Sequence, residues 1–156
     1  MKIGRVTLSD RASAGIYEDL SGPEIERVVR EKLDPEAIFL VRLLPDDRDA
    51  IESALRELVD TCDCDLVITT GGTGPAPRDV TPEATRAILE KELPGFGETM
   101  RASSFPKVPT AILSRATAGV RKTCLVINLP GNPRAIAECL LPLREAILDC
   151  VGHLRP

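Results

Sequence analysis

Apolar positions along the chain alternate between two spacings. Short runs in which nearly every residue is apolar are separated by longer stretches in which apolar residues recur every three or four positions. The first kind reads as strand covered on both faces, the second as helix with one buried face. Lys2–Leu8 is the first strand-like run. Ile25, Val28, Val29 and Leu33 then fall on one helical face, and Gly22-Pro23 marks its start, with proline in the first turn. A second strand covers Ala37–Val41 and extends to Leu44. The helix after it carries Ile51, Ala54, Leu55, Leu58, Val59 and Cys62. Leu66–Thr69 is a third strand, and Thr81-Pro82 opens another helix, with Thr81 as its cap. Pro94–Gly97 reads as a break, with helix resuming over Glu98–Ser103. Thr117–Val120 and Thr123–Leu129 read as two strands about a tight turn, so part of the sheet is expected to be antiparallel. The last helix begins at Asn132-Pro133 and buries Ile136, Leu140, Leu143, Ile147 and Val151, with Pro142 expected to kink or restart it. This alternation predicts an α/β fold with a mostly parallel sheet.

Composition narrows the function classes. The chain has 156 residues, the usual size of one domain, and is 43% hydrophobic, 28% charged and only 3% aromatic, without Trp. A core of this size needs no metal or disulfide staple, and it must be aliphatic. A net charge of −4 speaks against nucleic acid as partner, because phosphate backbones require a basic face. It leaves room for a small phosphorylated ligand held by backbone N–H groups. No apolar run approaches the ~20 residues of a membrane helix. The first residues enter a strand at once, which predicts no signal peptide. The five cysteines, Cys62, Cys64, Cys124, Cys139 and Cys150, are odd in number and fit no zinc spacing, so they read as reduced and mostly structural. His153 is the only histidine, so a Ser-His-Asp triad, a Cys-His pair or a histidine metal site would hang on that one residue; all three are set aside.

In open parallel sheets ligands bind beyond the carboxyl ends of the strands. Four polar loops lie there: Ser9–Gly15, Pro45-Asp46-Asp47, Thr69–Asp79 and Asn128–Pro133. Thr70–Gly74 holds three glycines in five positions, which lets consecutive N–H groups form an anion nest, although the sequence is neither a Walker A loop nor a GxGxxG fingerprint. A tight turn without ligand would have the same glycines. Arg78-Asp79 reads either as a capping or salt-bridged pair or as a carboxylate available to a heterocycle's N–H donors. Of Asp46 and Asp47, one serves to cap the helix near Arg48; the other, at the strand edge, suits Mg²⁺, which takes one or two carboxylates plus substrate phosphates. Asn128–Pro133 reads as a capped turn or as an anion site at a helix N-terminus. Ser114-Arg115 and Ser9–Ser13 are hydroxyl-rich loops.

Taken together, Thr69-Thr70-Gly71-Gly72-Thr73-Gly74-Pro75, Arg78–Ala84, Ser114-Arg115, Asn128–Pro133, Ser9–Gly15, Asp19–Pro23 and Pro94-Gly95-Phe96 resemble the Mog/MoaB family of molybdenum-cofactor biosynthesis across essentially the whole chain. The resemblance implies one domain over residues 1–156 with a three-layer αβα sandwich. It implies a cytoplasmic molybdopterin adenylyltransferase, often a homotrimer, acting with ATP and Mg²⁺ and handing its product to a downstream molybdate-inserting protein. The terminal phosphate of molybdopterin would attack the α-phosphorus of MgATP, releasing pyrophosphate. By the same resemblance Asp46 is the Mg²⁺-linked carboxylate and Asp79 the carboxylate of pterin binding. Gly71, Gly72, Thr73 and Gly74 cradle ligand, Ser114 belongs to the pterin site, and Ser9 and Asp19 lie near nucleotide and substrate phosphate. Pro130, Gly131 and Asn132 form a further ligand loop. The alternatives are a pterin- or nucleotide-binding module without turnover and a hydrolase of another nucleotide. Retention of both acids favours the enzyme over the first, and the unbroken Gly71–Asp79 segment speaks against the second.

Overall fold

The computed structural model describes residues 1–156. Six strands form one sheet in the order β2-β1-β3-β6-β5-β4. They are β1 (Lys2–Leu8), β2 (Ile38–Leu44), β3 (Leu66–Thr70), β4 (Lys91–Glu92), β5 (Ala118–Arg121) and β6 (Cys124–Leu129). β2, β1, β3 and β6 run parallel, and β5 and β4 are antiparallel additions at one end. Seven helices cover it: α1 (Asp10–Ser13), α2 (Ser21–Lys32), α3 (Arg48–Arg56), α4 (Thr81–Ile88), α5 (Pro94–Ser104), α6 (Pro133–Leu140) and α7 (Arg144–Leu154). None is long and apolar enough to cross a membrane.

The period of two along the strands divides the interior into two cores. Leu66 and Ile68 of β3 and Leu125 and Ile127 of β6 face α2, α5, α6 and α7, where Ile25, Val29, Met100, Ile136 and Ile147 pack. Val67 and Val126 face the other side with Val6 and Leu8, against Ile51 and Leu55 of α3 and Ala84 and Ile88 of α4. Helices thus lie on both faces of the sheet. β3 is buried throughout, as its unbroken apolar run requires, whereas β2 at the edge is only partly covered. Apart from the start of α5, the strand and helix pattern read from sequence recurs within a residue or two.

The differences have local causes. Pro94 opens α5 instead of breaking the chain, since proline in the first turn lacks only an N–H that would have no partner anyway. The two-residue β4 pairs with β5 at Lys91↔Val120 and Glu92↔Gly119, and has no pattern long enough to read. α3 continues as a π-helical turn, Glu57–Thr61. Thr81 does not cap α4; it is fully buried, and its hydroxyl donates to the Gly71 carbonyl at 2.9 Å. Pro142 restarts the final helix, sitting in a 3₁₀ turn, Leu141–Leu143, between α6 and α7. All five cysteines are free thiols: Cys64, Cys124 and Cys139 are buried and Cys62 and Cys150 half-buried. Burial pushes the Cys64 thiol up to about 11.

Candidate functional site

Strand register brings the loops together. Leu8 pairs with Leu44, Thr7 with Thr70, and Thr70 with Leu129, so four loops leave the sheet at one level. The glycine loop occupies the middle of this rim. Thr70 donates its hydroxyl to the Pro130 carbonyl at 2.7 Å, and the Gly71 N–H donates to Leu129 at 3.2 Å. Gly71 and Gly72 have φ of +96° and +66°, a region that side chains penalise. A Cβ on Gly71 would stand 2.3 Å from the Leu8 carbonyl oxygen; one on Gly72 would stand 2.3 Å from Thr81 Oγ1 and 2.9 Å from Asp46 Oδ1. The left-handed pair of this loop is therefore Gly71-Gly72. At Gly74 a Cβ would meet Asp79 Oδ2 at 2.8 Å.

The two adjacent acids after β2 divide their work. Asp47 accepts the Ala50 N–H at 2.9 Å and caps α3. Asp46 turns to the rim. Its Oδ2 accepts the Asp10 N–H at 3.1 Å, and its own N–H donates to Asp10 Oδ1 at 3.0 Å. Asp46 Oδ1 is buried without any partner. Burial pushes the Asp46 carboxyl above its usual range; the Asp10 N–H opposes this, and the nearby Asp10 and Asp79 carboxylates add to it. Asp79 neither caps α4 nor pairs with Arg78: its Oδ2 accepts the Ala76 N–H at 3.1 Å, within the loop. Arg78 instead forks onto Asp10, at 3.0 and 2.8 Å.

Two hollows open on either side of the glycine loop. The larger, about 470 Å³, is walled by Thr73, Gly74, Ser114, Pro130 and Asn132 together with Arg101 and Arg134. The smaller, about 140 Å³, is walled by Ser9, Asp19, Gly71 and Gly131 with Thr7 and Tyr17. Asp46 and Asp79 line neither and stand against the loop itself. Several of these polar groups already have partners. Ser9 Oγ accepts the Ala12 N–H at 3.1 Å and caps α1. Asn132 caps α6 by accepting from Arg134 at 3.0 Å. Ser114 Oγ accepts the Ala116 N–H at 3.3 Å. Asp19 is already engaged through both oxygens: Oδ1 accepts from Gly22, and Oδ2 accepts from Arg5 and Thr7 at 2.9 and 2.8 Å.

Three residues escaped the sequence reading. Arg115 clamps the loop, its N–H on Thr73 and its guanidinium on the carbonyls of Gly74 and Asp79 and on the carboxylate of Glu83. Asp10 joins Asp46 to Arg78. Asn128 is a core link, donating to Thr69 and Thr85 hydroxyls at 3.0 and 2.9 Å. All three stand inside segments already singled out, but nothing in spacing tells a residue that builds a site from one that touches ligand.

No three His, Cys, Asp or Glu side chains stand where they could together hold a metal ion, so the chain offers no all-protein metal cage. The unpartnered Asp46 oxygen fits a hard cation that takes its remaining ligands from phosphates and water. Glycine N–H groups, an acid of this kind and a roomy hollow suit transfer of a phosphoryl-type group, which depends on alignment and charge stabilisation more than on a protein nucleophile.

Residues 4–148 match the family described as probable molybdopterin binding domain. Molybdopterin adenylyltransferase from Helicobacter pylori is 55% identical over 149 residues, 96% of this chain and 85% of that protein. The Escherichia coli K12 protein of that name is 49% identical over 153 residues, 98% of this chain and 78% of its own. Among solved structures, the molybdopterin biosynthesis enzyme MoaB of Thermus thermophilus superimposes with a TM-score of 0.90 at 38% identity, covering 98% of this chain and 95% of that one.

Proposed function

The chain belongs to the molybdopterin-binding domain family, and we infer that it is a molybdopterin adenylyltransferase, working as one domain over residues 1–156. In this reading its co-substrate is ATP and its cofactor Mg²⁺. The molybdopterin phosphate oxygen forms a bond to the α-phosphorus of ATP as the bond to the bridging oxygen breaks, and pyrophosphate leaves. The observation that carries the reading is Asp46 Oδ1, buried, without a partner, and placed against the left-handed Gly72. A buried carboxylate oxygen without a partner is costly unless a ligand completes it.

The roles combine the family resemblance with position. The 470 Å³ hollow is within the usual size of small-molecule sites and takes the pterin, with Thr73, Gly74, Ser114, Pro130 and Asn132 at its wall and Asp79 beside Gly74. Gly71, Gly131, Ser9 and Asp19 surround the smaller hollow, assigned to phosphate, where the α6 N-terminus favours an anion. Asp46 holds Mg²⁺ together with substrate phosphates. The metal, when bound, neutralises charge developing on the phosphates. The chain's own part is to align the two substrates across the glycine loop and exclude water between them. A homotrimer, a cytoplasmic location and delivery to a molybdate-inserting protein complete the proposal, on the family resemblance.

The test mixes purified protein with molybdopterin and MgATP and measures adenylyl-molybdopterin and pyrophosphate. Binding of both substrates without transfer would leave a binding module. Asp46→Asn is expected to keep pterin binding and to lose about 10²–10³-fold in rate. Near wild-type turnover of that variant at saturating Mg²⁺ would remove Asp46 from the chemistry.

A further inference from the structure

Asp10 has no part in either core and lines neither hollow, yet it makes four polar contacts with site elements. It is the first residue of α1, where a backbone N–H has no intrahelical partner. Ser9 Oγ serves the Ala12 N–H, which leaves the Asp10 N–H free for Asp46 Oδ2 at 3.1 Å. Asp10 Oδ1 accepts the Asp46 N–H at 3.0 Å, so the two residues are joined in both directions. The same carboxylate receives the Arg78 fork at 3.0 and 2.8 Å. Two adjacent carboxylates repel each other, and a guanidinium with two aligned N–H groups offsets that repulsion. Both Oδ2 of Asp46 and its main chain are thereby fixed, and Oδ1 is the one atom left without a partner.

We propose that the Asp10 side chain is a positioning group: by accepting the Asp46 N–H it fixes the main chain that carries the Asp46 carboxylate, so that Oδ1 faces the metal nucleotide, and it draws Arg78, at the end of the glycine loop, onto the same array. The assignment rests on the reading of Asp46 as the metal-linked acid. Residues that orient a metal's ligand typically change metal affinity or activity by about 10- to 100-fold when removed. Asp10 should therefore act on metal dependence and leave the pterin side alone.

The experiment compares the wild-type chain with Asp10→Ala, Asp10→Asn and Asp46→Asn. It measures adenylyl transfer against Mg²⁺ concentration, Mn²⁺·ATP affinity by calorimetry without molybdopterin, molybdopterin affinity, and melting temperature. For Asp10→Ala, the Mg²⁺ concentration giving half-maximal rate should rise about 10-fold, and Mn²⁺·ATP affinity should fall by a similar factor. Excess Mg²⁺ should restore turnover, and molybdopterin affinity should not move. Asp10→Asn should recover most of the loss, because its amide oxygen still accepts the Asp46 N–H. Wild-type Mn²⁺·ATP affinity in Asp10→Ala, with Asp46→Asn inactive, would overturn the proposal and leave the site intact. A rate loss that excess Mg²⁺ does not restore, together with a lower melting temperature, would make Asp10 structural and also overturn it. Full activity in Asp46→Asn would remove the reading beneath the proposal, and the proposal with it.

Discussion

At the scale of single residues, glycines that look alike in sequence are not equivalent. Gly72→Val forces a β-branched side chain into φ +66° and against Thr81 Oγ1, and should cost about 1–3 kcal/mol of stability together with ligand binding. Gly74→Ala meets no such angle; its Cβ would displace only the Asp79 carboxylate. It should melt near the wild type and bind molybdopterin more weakly, and thermal unfolding beside titration separates the two effects. Equal melting losses would contradict the difference in backbone angle. Asp46 carries a second consequence. Its folded pKa is raised by burial, so the ionised form costs stability at pH values above the folded pKa, and the cost disappears as pH falls below the usual 3.8. Asp46→Asn should thus melt no lower than wild type at pH 7, and any gain should vanish in acid. A large loss of melting temperature at pH 7 would show that the carboxylate stabilises the ligand-free fold.

At the scale of elements, charged clasps fix what periodicity leaves open. Asp60, in the π-helical turn after α3, pairs with Arg121 of β5 at 2.7 Å and with Lys122 at 3.1 Å; Arg121 also donates to the Ile88 carbonyl of α4. Hydrogen bonding from Arg121, reinforced by Lys122, holds the Asp60 carboxyl down at about 2. A depressed carboxylate contributes stability that is present above the unfolded value of 3.8 and is lost as pH falls toward about 2. Asp60→Asn should lower the melting temperature at pH 7, and the deficit should shrink on acidification through that window and in high salt. A deficit independent of pH would place the effect in packing. The two-residue β4 and the four-residue α1 exist because neighbouring strands and loops hold them, not because their own sequences insist on it. That is why neither was foreseen.

At the scale of the whole molecule, the sheet is held between two aliphatic cores, and its middle strands β3 and β6 are buried at every position. Leu125→Ala in β6, fully buried, should cost about 2–5 kcal/mol by denaturant unfolding, and a loss under 1 kcal/mol would mean the core refills the cavity. The sequence by itself determined the layer architecture and the place of the rim. An unbroken apolar run such as Leu66–Thr69 is stable only with cover on both faces, and helices spaced between such runs supply that cover. It also determined the composition of the rim, because glycines, capping residues and acids cluster wherever the chain leaves a strand. That one of Asp46 and Asp47 caps and the other faces the rim was legible; which one followed from the family resemblance, and the structure shows Asp47 on the Ala50 N–H. Only the tertiary structure decided the partners. That Arg78 belongs to Asp10 and not to Asp79, that Thr81 serves the Gly71 carbonyl instead of its own helix, and that Asp46 keeps one oxygen free depend on residues 68, 10 and 36 positions apart in the chain. Local spacing constrains backbone angles and faces, because those are set within a few residues. Hydrogen bonds between loops are set by strand register and helix packing, which sequence periodicity does not encode.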